Sequence, residues 1–163
     1  MEQLVYFDYA ATTPVRPEAR EALLRALDGF GNPSSRYGFG REAALQVKAD
    51  RETVAAALGC APGEVTFTSC GTEGDNWAIR RGAERNRRRG KHIITTAIEH
   101  AAVLETCKDL EREGYEVTYL QPDKTGRITA EQVAAALRPD TALVSMMLVN
   151  NETGVVLPVA DCV

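Results

Sequence analysis

Three short stretches, Thr68-Ser69-Cys70-Gly71-Thr72-Glu73, Glu99-His100-Ala101-Ala102-Val103 and Val149-Asn150-Asn151-Glu152-Thr153-Gly154, each follow an apolar, strand-like run. In the first, small residues between a strand and a helix leave backbone N–H groups at the helix start facing outward, where a phosphate would bind with the helix dipole behind it. Thr72 offers a hydroxyl donor to the same ligand; equally, Gly71 would serve a tight turn and Thr72 would cap the helix. No Gly-Lys-Ser/Thr follows and no G-x-G-x-x-G is present, so the loop carries neither nucleotide signature. His100 opens the next helix, where the dipole favours a neutral imidazole able to stack on a ring, although a lone histidine there is more often solvated or packed. Asn151 carries an amide that would donate to a ligand oxygen or simply mark a turn ahead of Gly154.

These positions depend on alternating elements. Pro17 starts a helix whose apolar face is Ala19, Ala22, Leu23, Ala26 and Leu27, ended by Gly29 and Gly31. A turn-rich stretch over residues 31–40 precedes a second helix at 41–58, which Gly59 closes at positive φ. Strands are expected at residues 65–68, 92–96, 117–120 and 142–149, and helices at 73–89 and 100–113. A further helix begins after Thr129, which with Gln132 makes a capping box. Strands joined through single helices cannot pair as hairpins, so they require a mainly parallel sheet with helices on both faces, an α/β fold. Ligands of such sheets sit beyond the carboxyl ends of the strands, and all three motifs fall there.

The bulk properties exclude several function classes. The chain has 163 residues, is 44% hydrophobic and 26% charged, and carries a net charge of −4, so nothing draws it as a whole to nucleic acid or to an anionic membrane. Residues 142–149 are too short an apolar run to span a bilayer, and the first residues lack a secretory pattern, which points to a cytoplasmic protein. The four cysteines, Cys60, Cys70, Cys107 and Cys162, are widely spaced and cluster with neither histidine, so no metal site is expected and reduced thiols are. Cys60 and Cys107 read as small core hydrophobes, whereas Cys70 beside a helix start reads first as ordinary loop packing, with a lowered thiol pKa as the alternative. The basic run from Arg80 to Lys91 has no interleaved aromatic residue and reads as a solvated outer face or a partner contact rather than a nucleic-acid surface.

Phe7-Asp8-Tyr9-Ala10-Ala11-Thr12-Thr13-Pro14, Gly31-Asn32-Pro33-Ser34-Ser35, Phe67-Thr68-Ser69 with Gly71-Thr72-Glu73, Glu99-His100 and Val149-Asn150-Asn151-Glu152-Thr153-Gly154-Val155 occur in this order. Together they resemble the amino-terminal half of the cysteine desulfurases, pyridoxal 5'-phosphate (PLP) enzymes of fold type I in the class V aminotransferase group. The resemblance implies that residues 1–15 form an N-terminal arm and 16–163 the first part of the PLP-binding large domain. It implies that Gly71 and Thr72 bind the cofactor phosphate, that His100 stacks on the ring and assists proton transfer as the catalytic residue, and that Asn151 bonds the ring's phenolic oxygen. Residues 10–13 would border the substrate. The implied reaction converts L-cysteine to alanine and passes sulfur on as a persulfide to an acceptor or scaffold protein for iron–sulfur clusters or thio-cofactors, in a homodimer when the protein is complete. Selenocysteine lyase and other class V enzymes share the same cofactor-reading residues, and a non-catalytic fragment that retains the fold is the further alternative.

The resemblance also implies absences. The family's Schiff-base lysine, pyridinium aspartate and nucleophilic cysteine lie later than residue 163, so these residues alone are expected to be inactive and to need a C-terminal half, with PLP binding by this part left open. Asp161, the Lys91-His92 pair and Cys162 do not match those roles in position or context. Cys70 stands where the family usually has glycine, Gly74 where it usually has serine, and Tyr37 where a histidine commonly follows. Pro158 with Val159, Ala160 and Cys162 reads as the first turn of a helix, and one turn does not recover its nucleation cost.

Overall fold

The computed structural model describes residues 5–162. They fall into two compact units divided between Phe67 and Thr68. The first contains α1 (Pro17–Leu27), α2 (Gly38–Leu58) and a 3-10 turn, Pro62–Glu64. Proline at the first position starts α1, and Gly59 ends α2 at φ 70°, as its place in the sequence requires. Arg51 ties α2 to the end of this unit, bonding the Val65 carbonyl and lying 4.9 Å from the centre of the Phe67 ring. In the N-terminal segment the Tyr6 hydroxyl lies within hydrogen-bond distance of the carbonyls of both Asp8 (2.7 Å) and Thr12 (3.0 Å), its one proton shared between them across the turn of residues 6–12.

The second unit is a three-layer α/β arrangement. In chain order it runs α3 (Gly71–Arg85), β1 (His92–Thr96), α4 (Ala101–Arg112), β2 (Glu116–Leu120), α5 (Ala130–Ala136), β3 (Thr141–Val144) and a 3-10 turn, Val159–Cys162. The strands are all parallel, in the order β2-β1-β3. β1 is buried along its whole length, and its alternating side chains serve two cores. Ile93 packs with Ile79 and Ala83 of α3 and with Val103, Cys107 and Leu110 of α4. Ile94 packs on the opposite face with Leu120, Ile128, Val133 of α5 and Leu157. Helices therefore cover both faces, as the strand–helix alternation demanded. Gly82 lets α3 approach β3 closely, since a Cβ there would lie 3.2 Å from Leu143 Cδ1. Arg80 joins α3 to α4 on their solvated face by bonds to Asp109 (3.0 Å) and Glu113 (2.7 Å).

α2 starts at Gly38 rather than 41 and α3 at Gly71 rather than 73, and three elements depart further from expectation. Residues 65–68 form no strand, because none of the described residues offers them a ladder partner. The strand expected at 142–149 ends at Val144: Ser145 still donates to the Ile94 carbonyl (2.9 Å), but β1 itself stops two residues later and the chain turns away. α3 ends at Arg85 rather than 89, because the Asn86 amide donates to the Gly82 carbonyl (2.9 Å) and turns the backbone. The capping box at α5 forms as read, with Thr129 N–H on Gln132 (2.8 Å) and Gln132 N–H on the Thr129 hydroxyl (3.2 Å).

Candidate functional site

The site builds from the carboxyl-end loops of the second unit. α3 starts at Gly71, with Cys70 as its N-cap residue. The first N–H groups of a helix have no acceptor within it. Glu73 supports this start from beneath: its carboxylate accepts the Ser69 backbone N–H (2.6 Å) and hydroxyl (2.8 Å), and those bonds hold its pKa below the usual range. The Glu73 backbone N–H, then the Ser69 hydroxyl, lower the pKa of the exposed Cys70 thiol, with a smaller contribution from Thr72. Cys107 is the opposite case, a buried thiol that desolvation pushes up to about 11. Cys60, expected in the core, is only half-buried.

The turn and cap readings of the first motif lose ground here. Gly71 does not adopt positive φ, and a Cβ on it would meet nothing within 4 Å, so neither backbone conformation nor packing inside the protein calls for glycine. What its missing side chain does is leave the helix start open to an approaching group. Thr72 is the second helical residue rather than the cap, and its hydroxyl lies within hydrogen-bond reach of the Cys70 thiol.

His100 is the N-cap residue of α4. Its Nδ1 accepts the Ala102 backbone N–H at 3.1 Å, which leaves Nε2 as the ring nitrogen that faces outward. Thr72 and Asn76 of α3 line one shallow groove with His100, Glu105 and Asp109. The structure therefore brings Thr72 and His100 together, although 28 positions separate them in the sequence. Asn151 is exposed on a different loop, its amide donating to the Glu152 carboxylate at 2.9 Å, and it does not line this groove.

Two residues adjacent to the candidates turn out to be more deeply held than the candidates themselves. Glu99 and Asn150 are buried. Glu99 Oε1 accepts the Thr96 hydroxyl (2.8 Å) and the Met147 N–H (2.9 Å), while burial raises its pKa against the pull of those two bonds. Asn150 organises the turn before Gly154, whose φ of 72° suits glycine. An Asn followed four residues later by glycine is a readable turn signal; the burial of Glu99 had none.

The residues present fit a small phosphorylated ring: an open helix start for the phosphate, a hydroxyl beside it, and an imidazole held at a fixed tautomer across the groove. The parallel sheet with helices on both faces is the architecture of the fold-type I PLP enzymes. The chain belongs to the aminotransferase class-V family, whose profile matches residues 5–163. It is 49% identical to the cysteine desulfurase IscS of Methanosarcina thermophila over 158 residues, covering 96% of this chain and 39% of that protein. It is 51% identical to the cysteine desulfurase IscS of Shewanella pealeana over 162 residues, covering 96% of this chain and 40% of the relative. Among solved structures, a NifS-like protein superposes with a TM-score of 0.90 at 44% identity (97% of this chain, 44% of that one). SspA in complex with cysteine superposes with a TM-score of 0.89 at 42% identity (96% and 46%). The chain thus spans about 40% of the length of the curated relatives it matches.

Proposed function

We propose that these residues are the cofactor-holding part of a PLP-dependent cysteine desulfurase, acting on L-cysteine and handing its sulfur to an acceptor protein. The observation that carries the reading is the groove that joins Thr72 to His100 beside the open start of α3. Identity near 50% to proteins named cysteine desulfurase supports the choice within the class V family. PLP, when bound, supplies an electron sink for the carbon bearing the amino group. Gly71 and Thr72 would hold its phosphate, and the helix dipole would favour that charge. His100 would present its ring to the cofactor and move a proton at Nε2, because Nδ1 is committed to the Ala102 N–H. Asn151 would turn its amide from Glu152 to the ring's phenolic oxygen. The Schiff-base lysine, ring-nitrogen aspartate and sulfur-accepting cysteine would come from outside these residues, in the homodimer that the whole protein would form. Four unpaired cysteines suit a reducing, cytoplasmic setting.

Titration of PLP against the chain, followed by cofactor absorbance with inorganic phosphate as competitor, tests the reading. Thr72→Ala and Asn151→Ala should each weaken PLP about tenfold, the value of one hydrogen bond to a charged or strongly polar group. Phosphate should compete in wild type and lose part of that competition in Thr72→Ala. Unchanged PLP affinity in both variants would leave the two residues with structural roles only.

A further inference from the structure

Two buried side chains connect the loop that carries His100 to the loop that carries Asn151. Glu99, 8% exposed, reaches from the end of β1 to the backbone N–H of Met147, 48 residues away. Asn150, 5% exposed, reaches back: its Nδ2 donates to the Ile98 carbonyl at 2.9 Å, 52 residues away. Both groups also make local bonds. Glu99 Oε1 also takes the Thr96 hydroxyl, and Asn150 Oδ1 accepts Glu152 N–H (3.0 Å), Thr153 N–H (2.9 Å) and the Thr153 hydroxyl (3.1 Å).

The ladder cannot do this work. β1 ends at Thr96 and β3 at Val144, so neither residues 97–100 nor residues 147–151 are fixed relative to each other by strand pairing. A buried carboxylate is a poor source of bulk stability, since desolvation opposes it and an apolar side chain would fill the space. What a hydrogen-bonded buried polar pair supplies is a unique arrangement. Each latch residue is also the immediate chain neighbour of a candidate site residue, so any shift in the latch moves His100 or Asn151 directly.

We propose that Glu99 and Asn150 are positioning residues, a latch of two opposed hydrogen bonds that fixes the spacing of His100 and Asn151 and makes two loops one site. Its importance for PLP rests on the reading of His100 and Asn151 given above; its geometry does not.

Proton–nitrogen NMR of the chain tests the latch without cofactor. Glu99→Ala should speed exchange of the Met147 N–H about tenfold, the effect of losing one charged hydrogen bond. It should also shift the side-chain amide resonances of Asn151, on the other loop. Asn150→Asp keeps the oxygen that organises the turn but removes the donor to Ile98, and should shift the His100 ring resonances. Glu99→Gln retains the accepting oxygen and should restore the wild-type pattern; if Glu99→Ala fails to fold, this variant and Asn150→Asp decide the matter. PLP affinity should fall in Glu99→Ala and Asn150→Asp, with the double variant no weaker than the weaker single one. Variants that perturb only their own loop, or a Glu99→Gln that behaves like the alanine variant, would overturn the latch. Cross-loop shifts together with an unchanged PLP affinity in Thr72→Ala would keep the latch and sink the PLP reading instead.

Discussion

At the scale of the residue, His100 performs two tasks that substitution can separate. Its Nδ1 caps α4, and its outward Nε2 is the atom available to a ligand or a proton. Alanine removes both, and the lost cap should destabilise the chain by about 1 kcal/mol. Asparagine is among the best N-cap residues, so His100→Asn should unfold within about 0.5 kcal/mol of wild type while lacking a ring to stack and an imidazole proton to move. Urea unfolding and PLP titration on the same samples measure the two tasks. Equal destabilisation by both variants would mean that the cap is not what holds the ring. Sequence spacing placed Gly71, Thr72 and His100 at helix starts, because a helix start announces itself locally, while their roles came only from the resemblance to the cysteine desulfurases. Glu99 and Asn150 escaped because their defining partners lie about fifty residues away, and nothing local distinguishes a buried glutamate before a helix from an exposed one.

At the scale of the element, what a strand pairs with decides where it ends, and pairing is not written in any one segment. The apolar run 142–149 suggested eight strand residues, but β1 offers partners for only its first part. Residues 92–96 read correctly because both neighbours run alongside them. The register between β1 and β3 slips by one residue, His92 opposing Thr141 and Ile93 opposing Leu143, which leaves Ala142 as a bulge. At that irregularity His92 stitches the three strands, its Nδ1 2.8 Å from the Thr141 hydroxyl and its Nε2 2.8 Å from that of Thr118. Burial first, then the Arg138 charge, lower its pKa, against the weaker pull of Asp140 and Glu116. The folded chain thus binds fewer protons at this site than the unfolded chain does. Stability is therefore full above the unfolded value of about 6.5 and falls as the pH drops below it. Melting temperatures from pH 5 to 8 should show His92→Gln less stable than wild type at pH 8 and the gap narrowing towards pH 5. Parallel curves would mean that His92 titrates alike in both states.

At the scale of the whole molecule, burial is distributed unevenly between the two units. Among the described residues of the first, only Gly40, Ala55 and Val65 are buried, and α1 buries none of its residues. Phe7 is 88% exposed, Phe30 83% and Leu58 71%, side chains that each contribute roughly 1.5–3 kcal/mol when fully covered. The second unit, by contrast, holds two cores around Ile93 and Ile94. Local stability follows covered apolar surface and protected hydrogen bonds. Amide exchange on the chain should therefore show β1 and α4 strongly protected and α1 exchanging orders of magnitude faster. A dye that reports exposed apolar surface should bind, and binding should fall as rising concentration lets copies cover one another. Protection of α1 equal to that of β1 at low concentration would mean that the first unit is stabilised by something other than its own packing. The pattern α1 lacks is informative about the sequence as well: its apolar stripe of Ala19, Ala22, Leu23, Ala26 and Leu27 is patterned to be buried, and in this chain it is not. A helix patterned for burial and left exposed identifies a surface meant to be covered, and low-concentration exchange measures how much order that helix keeps while it is bare.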